Sequence, residues 1–307
     1  MGRYVYGPVP SRRLGRSLGV DLVPFKTCTY DCVYCQLGHT TALTARRQAW
    51  IESGAVLEEI RAHLPSCPDY ITLSGSGEPT LCTGLGELIH GIKAMTHVPV
   101  AVLTNGSLLW RADVREELRQ ADLVIPSLDA GDDRHFRYVN RPHEAIRFAQ
   151  MVEGLVTFGR EFAGRCELEV LLLAGVTSTE SEVAKIAEWA RRIAPDRVYL
   201  NTVTRPPAET YAEPVPHAQM TRLAHLFTPP AVVIADYAGS LCETACAVSD
   251  EQILDMLRRR PCSVEDVAGG LGLHPNEVLK RLDDLVRQHR IERIPPALGT
   301  FYRAVHP

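Results

Sequence analysis

Cys28-Thr29-Tyr30-Asp31-Cys32-Val33-Tyr34-Cys35 places three cysteines within eight residues, separated by three and then two others. Thiolates so spaced can hold a metal centre, and thiolate ligation is the usual way to hold an iron–sulfur cluster. Three ligands rather than four leave one iron of a cubane cluster open to something other than protein. The alternative is a zinc site completed by His39 or by a distant cysteine, although zinc ligands pair as CxxC. Thr29 and Asp31 read as spacers. Tyr34 reads as an aromatic that shields the centre or packs.

Working outward, apolar β-type runs alternate with amphipathic helical stretches. Candidate strands are 17–23, 70–73, 98–103, 123–128, 167–173, 197–203 and 231–234. Candidate helices are 55–63, 86–95, 113–120, 144–158, 180–193 and 217–226. Short β-rich runs separated by helices of about ten residues or more imply a parallel sheet. The fold expected is α/β: a partial (β/α)6, TIM-like barrel. In such folds the chemistry sits at the carboxyl ends of the strands. The cysteine loop follows the first of them.

The later strand ends fit that placement. Strand 70–73 runs into Ser74-Gly75-Ser76-Gly77-Glu78-Pro79-Thr80. Glycines there let backbone approach a ligand closely, and Glu78 supplies an anion suited to an ammonium group. Strand 98–103 ends in Thr104-Asn105-Gly106, which in isolation is a turn signal. Ser127 and Asp129 fall two residues apart and face the same side of an extended chain. Arg205, after strand 197–203, offers a bidentate fork for a carboxylate or phosphate, or else a surface ion pair. Arg134, His135, Arg137 and Arg141 form a cationic group that binds an anion or lies in a solvated loop.

These residues resemble the radical S-adenosylmethionine superfamily. Cys28, Cys32 and Cys35 match its CxxxCxxC motif, with an aromatic at Tyr34. The resemblance implies one [4Fe-4S] cluster held by the three cysteines, with S-adenosylmethionine chelated at the fourth iron. One electron, from a donor such as flavodoxin or ferredoxin, then gives methionine and a 5'-deoxyadenosyl radical that abstracts hydrogen from a substrate. It also implies cofactor contacts at Gly75, Gly77 and Glu78 (a GGE-like motif with Ser76 in place of the first glycine), and at Asn105, Ser127 and Asp129. Residues 174–177 would cradle adenine. Within the superfamily the chain, over roughly 7–235, looks most like the group related to tRNA wyosine-base synthases. The carriers are Gly7-Pro8-Val9-Pro10-Ser11-Arg12-Arg13-Leu14-Gly15, the Ser74–Thr80 turn and residues 201–207. Those synthases carry extra cysteines ahead of the motif, whereas none precedes Cys28 here. Their substrate is therefore not carried over.

Beyond about Tyr237 the pattern changes. Residues 1–237 read as the barrel, 238–248 as a linker, and 249–307 as a winged helix-turn-helix domain of three helices and a hairpin. Ser249-Asp250-Glu251-Gln252 is a capping-box signal, and Pro275 opens the third helix. Lys280, Arg281, Arg287, Arg290 and Arg293 are offset by Glu277, Asp283, Asp284 and Glu292, so no clean basic face is expected. Of the remaining cysteines, Cys67, Cys82, Cys166 and Cys262 read as buried small hydrophobes, and Cys242 and Cys246 form an isolated CxxxC.

The 307 residues carry a net charge of -4, so no global field advertises nucleic acid or an anionic membrane. No apolar run reaches about 18 residues, and the start lacks a signal peptide's apolar stretch. A cytoplasmic protein without membrane partners is expected, its nine cysteines serving metal or redox roles. The chain reads as a radical enzyme acting on an unidentified substrate: a nucleoside or tRNA base, another anionic small molecule, or RNA or protein docked by the tail. The rival is an iron–sulfur- or zinc-dependent regulator binding DNA through that tail.

Overall fold

The computed structural model describes residues 4–11, 13–234, 249–294 and 300–305. The expected linker, with Cys242 and Cys246, and residues 295–299 lie outside the described residues.

In chain order the elements are β1 (Val5–Ser11), β2 (Gly15–Asp21), β3 (Thr27–Cys28), β4 (Ala42–Leu43), α1 (Ser53–His63), β5 (Tyr70–Ser74), α2 (Leu85–Met95), β6 (Val100–Thr104), α3 (Ala112–Leu118), β7 (Leu123–Pro126), α4 (Asp133–Val139), α5 (Phe148–Glu161), β8 (Arg165–Leu172), α6 (Glu180–Ile193), β9 (Arg197–Thr202), α7 (His217–Ala224) and β10 (Val232–Val233). They are followed by α8 (Asp250–Arg259), α9 (Val264–Leu271), α10 (Pro275–Arg287), β11 (Ile291–Ile294) and β12 (Phe301–Ala304). One sheet runs β1-β2-β5-β6-β7-β8-β9-β10, with β1 and β10 at its edges. The β1–β2 pair is antiparallel and every other neighbour is parallel. All seven expected strands are present in this α/β sheet, with helices in the crossovers.

Helix α6 illustrates how the sequence builds the crossovers. Thr179 caps it by accepting from the Glu182 N–H at 3.3 Å, and Glu180 and Glu182 lie in the first turn. Arg191 and Arg192 occupy the last turn, where cations suit the helix dipole. Val183, Ile186, Ala190 and Ile193, spaced by three and four, form its buried stripe.

The strands alternate between two faces. On β2, Leu18 and Val20 share a buried cluster with Val56 and Ile60 of α1. Ser17 and Gly19 face the other way: Ser17 Oγ lies 2.6 Å from Thr72 Oγ1, and a Cβ on Gly19 would fall 2.0 Å from the Tyr6 ring. A second, smaller apolar cluster of Leu14, Ala101, Leu123 and Ile125 fills the inner face.

Three features depart from expectation. Strand β1 was hidden by Pro8 and Pro10, which a sheet tolerates because β1 is an edge strand with a register shift between Tyr6 and Val9. Helix α4 was masked by its polar composition; Asp132 caps it by accepting from the His135 N–H at 2.9 Å. Helix α5 starts at Phe148 rather than at residue 144, because residues 143–146 form a turn closed by the Ile146 N–H to His143 carbonyl bond of 2.8 Å.

Helices α8 to α10 and the antiparallel β11–β12 ribbon follow in the expected order around their own core, which includes Ile253, Leu257, Val278, Leu282, Leu285 and Tyr302. Assignment of this unit to the winged-helix class rests on the sequence pattern alone. Among the described residues no helix is long and apolar enough to cross a membrane.

Candidate radical-enzyme active site

The cysteine loop leaves the carboxyl end of β2. Cys28 ends β3, and tight turns follow from Cys35 N–H to Cys32 carbonyl and from Gly38 N–H to Cys35 carbonyl, each 3.1 Å. Thr29 and Asp31 are more than spacers. Thr29 is fully buried, accepts from Asn105 Nδ2 at 2.7 Å and lies 2.8 Å from Ser107 Oγ. Asp31 accepts from the Thr40 N–H at 2.6 Å. The loop is therefore clamped from both ends before any ligand arrives.

Each sulfur has a nitrogen donor beside it. Asn105 Nδ2 lies 3.6 Å from Cys28 Sγ, Asn140 Nδ2 lies 3.5 Å from Cys32 Sγ, and Lys26 Nζ lies 3.1 Å from Cys35 Sγ. Burial pushes the Cys28 thiol up to about 12 and also raises Cys32, so these groups resist ionising without a bound cation. Three cysteine thiolates can hold a multi-iron cluster and leave one iron without a protein ligand. His39, the other zinc candidate, is exposed and sits 3.2 Å from Asp31.

The 75–78 loop lies alongside. Ser76 carbonyl accepts from the Lys26 N–H at 2.8 Å, and Thr27 carbonyl from the Glu78 N–H at 3.1 Å. A Cβ on Gly77 would fall 2.0 Å from the Thr27 carbonyl oxygen; one on Gly75, at φ +111°, would fall 1.6 Å from Asp21 Oδ1. The close approach at Gly77 is thus to the cysteine-bearing segment, and that at Gly75 is to the end of β2.

Glu78 is buried, and its carboxylate is already engaged. Oε1 accepts from Thr80 N–H at 3.0 Å, Thr80 Oγ1 at 2.6 Å and Thr104 Oγ1 at 2.6 Å; Oε2 accepts from the Asn105 N–H at 2.7 Å. It ties the end of β5 to the end of β6. Burial raises its pKa, and these bonds oppose the rise.

Asp129 is buried and accepts from Tyr34 OH, Asn140 Nδ2 at 2.8 Å and Leu171 N–H at 3.0 Å. Burial raises its pKa as well. Tyr34 therefore neither merely shields nor merely packs; it joins the cysteine loop to the end of β7. Ser127 is half-buried and bridges to Glu169 of β8. Lys26 and Asn140 escaped the sequence reading. Asn140 meets Cys32 across 108 residues, so nothing local marks it, and Lys26, nine residues from Cys35, belongs to no motif.

Other candidates are spent elsewhere. His135 sits with Asp132 and Glu182 in the one cluster of three possible metal ligands among the described residues, but the Lys185 ammonium bridges both carboxylates at 2.7 and 2.8 Å. Arg137 pairs with Asp133, and Arg141 with Glu209. Arg205 is not a surface residue; it donates to Asp266 of α9 at 2.8 Å. Cys82, Cys166 and Cys262 are buried as expected, whereas Cys67 is exposed, held at φ +50° where a short helical turn ends. In the C-terminal unit Arg281, Arg287, Arg290 and Arg293 pair with Glu277, Asp284, Glu251 and Asp283. This charge balance gives the DNA-binding reading no support.

An open parallel sheet with a three-cysteine loop and a glycine-rich turn at its carboxyl edge defines the class of cluster-dependent radical enzymes. The chain belongs to the radical SAM superfamily, whose family model matches residues 22–196. It is therefore an enzyme of a superfamily that binds a [4Fe-4S] cluster through cysteines together with S-adenosylmethionine. A UPF0026 protein of Methanocaldococcus jannaschii is 35% identical over 72% of this chain and 70% of its own length. A UPF0026 protein of Helicobacter pylori strain J99 is 32% identical over 94% of this chain and 93% of its own. A protein of Brachyspira hyodysenteriae named GTPase Obg is 37% identical over 94% of this chain, which spans only 43% of that relative's length. Among solved structures, Streptococcus suis SuiB superposes with a TM-score of 0.54 at 13% identity, covering 78% of this chain and 56% of SuiB. A radical SAM methyltransferase from Sphaerobacter thermophilus gives 0.52 at 17% identity, covering 71% and 65%. At such identities these two structures speak to fold alone. The likeness to wyosine-base synthases rests on sequence only.

Proposed function

We propose that Cys28, Cys32 and Cys35 hold the cluster, that Gly75, Gly77, Glu78, Asn105, Ser127 and Asp129 form the seat of S-adenosylmethionine, and that the enzyme acts on an anionic small molecule or nucleoside in the cytoplasm. The single observation that carries this reading is the convergence of Lys26, Asn105 and Asn140 donors on three separate sulfurs at the carboxyl edge of the sheet. Such N–H to sulfur bonds orient thiolate ligands and tune a cluster.

When bound, the cluster and S-adenosylmethionine supply one-electron cleavage to methionine and a 5'-deoxyadenosyl radical, which takes a hydrogen atom from the substrate. The chain's own residues position and insulate. Glu78 locks the 75–78 loop to Asn105, so that the backbone of both strand ends is held toward the same space. Asp129 fixes Tyr34 and Asn140, and through them the loop carrying Cys32. The electron comes from a donor such as flavodoxin or ferredoxin.

Anaerobic reconstitution with iron and sulfide, followed by reduction with dithionite and S-adenosylmethionine, tests the reading. A brown protein releasing 5'-deoxyadenosine is expected, with Cys32→Ala colourless and inactive. A protein fully loaded with iron that releases none refutes it.

A further inference from the structure

The C-terminal unit sits across the edge of the sheet. Its contacts reach two lips: the β1–β2 hairpin, and the segment that follows β9. Arg259, the last residue of α8, pairs with Asp21 at the end of β2, and its guanidinium lies 3.8 Å from the Tyr6 ring centroid. Val9 of β1 packs against the core of the unit. On the other lip, Arg205 donates to Asp266 of α9.

Three guanidiniums gather there. Arg260 lies within electrostatic reach of Cys262, Asp266, Tyr6 and Arg205, and its side chain hydrogen-bonds to Cys262. Among the described residues, Asp266 and Asp21 are the carboxylates that ion-pair with Arg205 and Arg259. The side chain of Arg205 is 13% exposed, and its Nε is buried without a hydrogen-bond partner among the described residues. Buried donors are nearly always satisfied, so a donor left bare is one that a ligand can satisfy. Asp21 has a second duty. Its Oδ1 accepts from the Ser76 N–H at 2.6 Å and from Ser76 Oγ at 3.2 Å, which joins the guanidiniums to the 75–78 loop through one carboxylate.

Guanidinium forks take carboxylate and phosphate oxygens in pairs. We propose that Arg205, Arg259 and Arg260 form an oxyanion-binding wall, built jointly by the sheet and the C-terminal unit, that holds the carboxylate or phosphate group of the substrate beside the 75–78 loop. Its place in catalysis rests on the reading above, in which that loop seats S-adenosylmethionine. The C-terminal unit is then a part of the substrate site and not an appended reader of other molecules.

The test is calorimetric titration of the full reconstituted chain with inorganic phosphate and, separately, malonate. Saturable binding of one anion per chain is expected for at least one probe. Arg260→Gln and Arg205→Lys should weaken it about tenfold or more; the lysine keeps the charge opposite Asp266 but removes the bare Nε–H. Arg287→Gln, on the outer surface of α10, should bind as the unaltered chain does. Phosphate alone identifies a phosphoryl group, malonate alone a carboxylate. No saturation with either probe, or undiminished binding by folded Arg260→Gln, overturns the wall. Release of 5'-deoxyadenosine is read in the same samples. If it proceeds without anion binding, the wall fails and the radical reading stands. If anions bind but fully loaded protein releases none, the radical reading fails and takes with it the wall's place beside a cofactor.

Discussion

Lys26 carries the one ammonium beside the cysteine sulfurs among the described residues, and it is buried at φ +57°. A buried cation next to a thiolate ligand stabilises the more negative, reduced state of a cluster. Lys26→Met should therefore lower the reduction potential. A charged hydrogen bond is worth about 1.5–3 kcal/mol, which for one electron corresponds to a shift of at most about 130 mV. A redox titration followed by electron paramagnetic resonance reads it, and an unchanged potential refutes the assignment. Glu78 allows a second prediction. Burial raises its folded pKa above the ordinary 4.5, so the folded chain keeps this proton to higher pH than the unfolded chain does. Glu78's contribution to stability is then fully present below 4.5 and declines as pH rises through the raised folded value. Urea midpoints measured across that window should fall with pH in the cluster-free chain. Glu78→Gln should remove Glu78's share of the fall. It should also cost about 1–3 kcal/mol, because its amide N–H would face the Asn105 N–H. Equal pH slopes for the two proteins would count against a raised Glu78.

Turns, not strands, bring the site together, and this explains what the sequence could and could not reveal. Strands β5 to β9 and helices α1, α2 and α6 were legible because alternation and the 3.6-residue period survive in any single stretch. The 28–35 and 74–80 loops were legible because cysteine spacing and glycine density are local. Asn140 and the Asp129–Tyr34 bond were not, since each joins segments that only the sheet order makes adjacent, and Lys26, nine residues from Cys35, belongs to no motif. Glu78 was legible as a site residue but not in its use: its four donors come from Thr80, Thr104 and Asn105, and only packing reveals them. Gly77 tests whether the two loops must touch. A methyl group there would strike the Thr27 carbonyl oxygen, one residue before Cys28. Gly77→Ala should push the loops apart and weaken binding of S-adenosylmethionine to the loaded protein by about a hundredfold, the scale expected for a displacement near 1 Å. Equilibrium dialysis reads the affinity, with circular dichroism confirming the fold. Unaltered affinity in a folded variant would remove this loop from the cofactor seat.

For the whole molecule, the question is whether the barrel and the C-terminal unit act as one body. The sheet ends at β1 and β10, and β1 carries Val9 into the hydrophobic core of the unit. Two ion pairs, Arg259 with Asp21 and Arg205 with Asp266, cross the boundary with side chains no more than 23% exposed. Partly buried pairs of this kind punish the loss of one partner more than the loss of both, because a lone buried charge stays desolvated. Asp21→Asn keeps an acceptor for Ser76 while leaving Arg259 unpaired, and should destabilise the chain by about 3 kcal/mol. Arg259→Met leaves Asp21 paired with Ser76 alone. The double variant should be more stable than the two single losses added together, with a coupling energy of about 1.5–3 kcal/mol from urea unfolding. A coupling near zero would mean that the pair does not join the two units. A large one would mean that movement of the C-terminal unit is felt at Ser76 through the same carboxylate, since Asp21 bonds to Arg259 with one oxygen and to the 75–78 loop with the other.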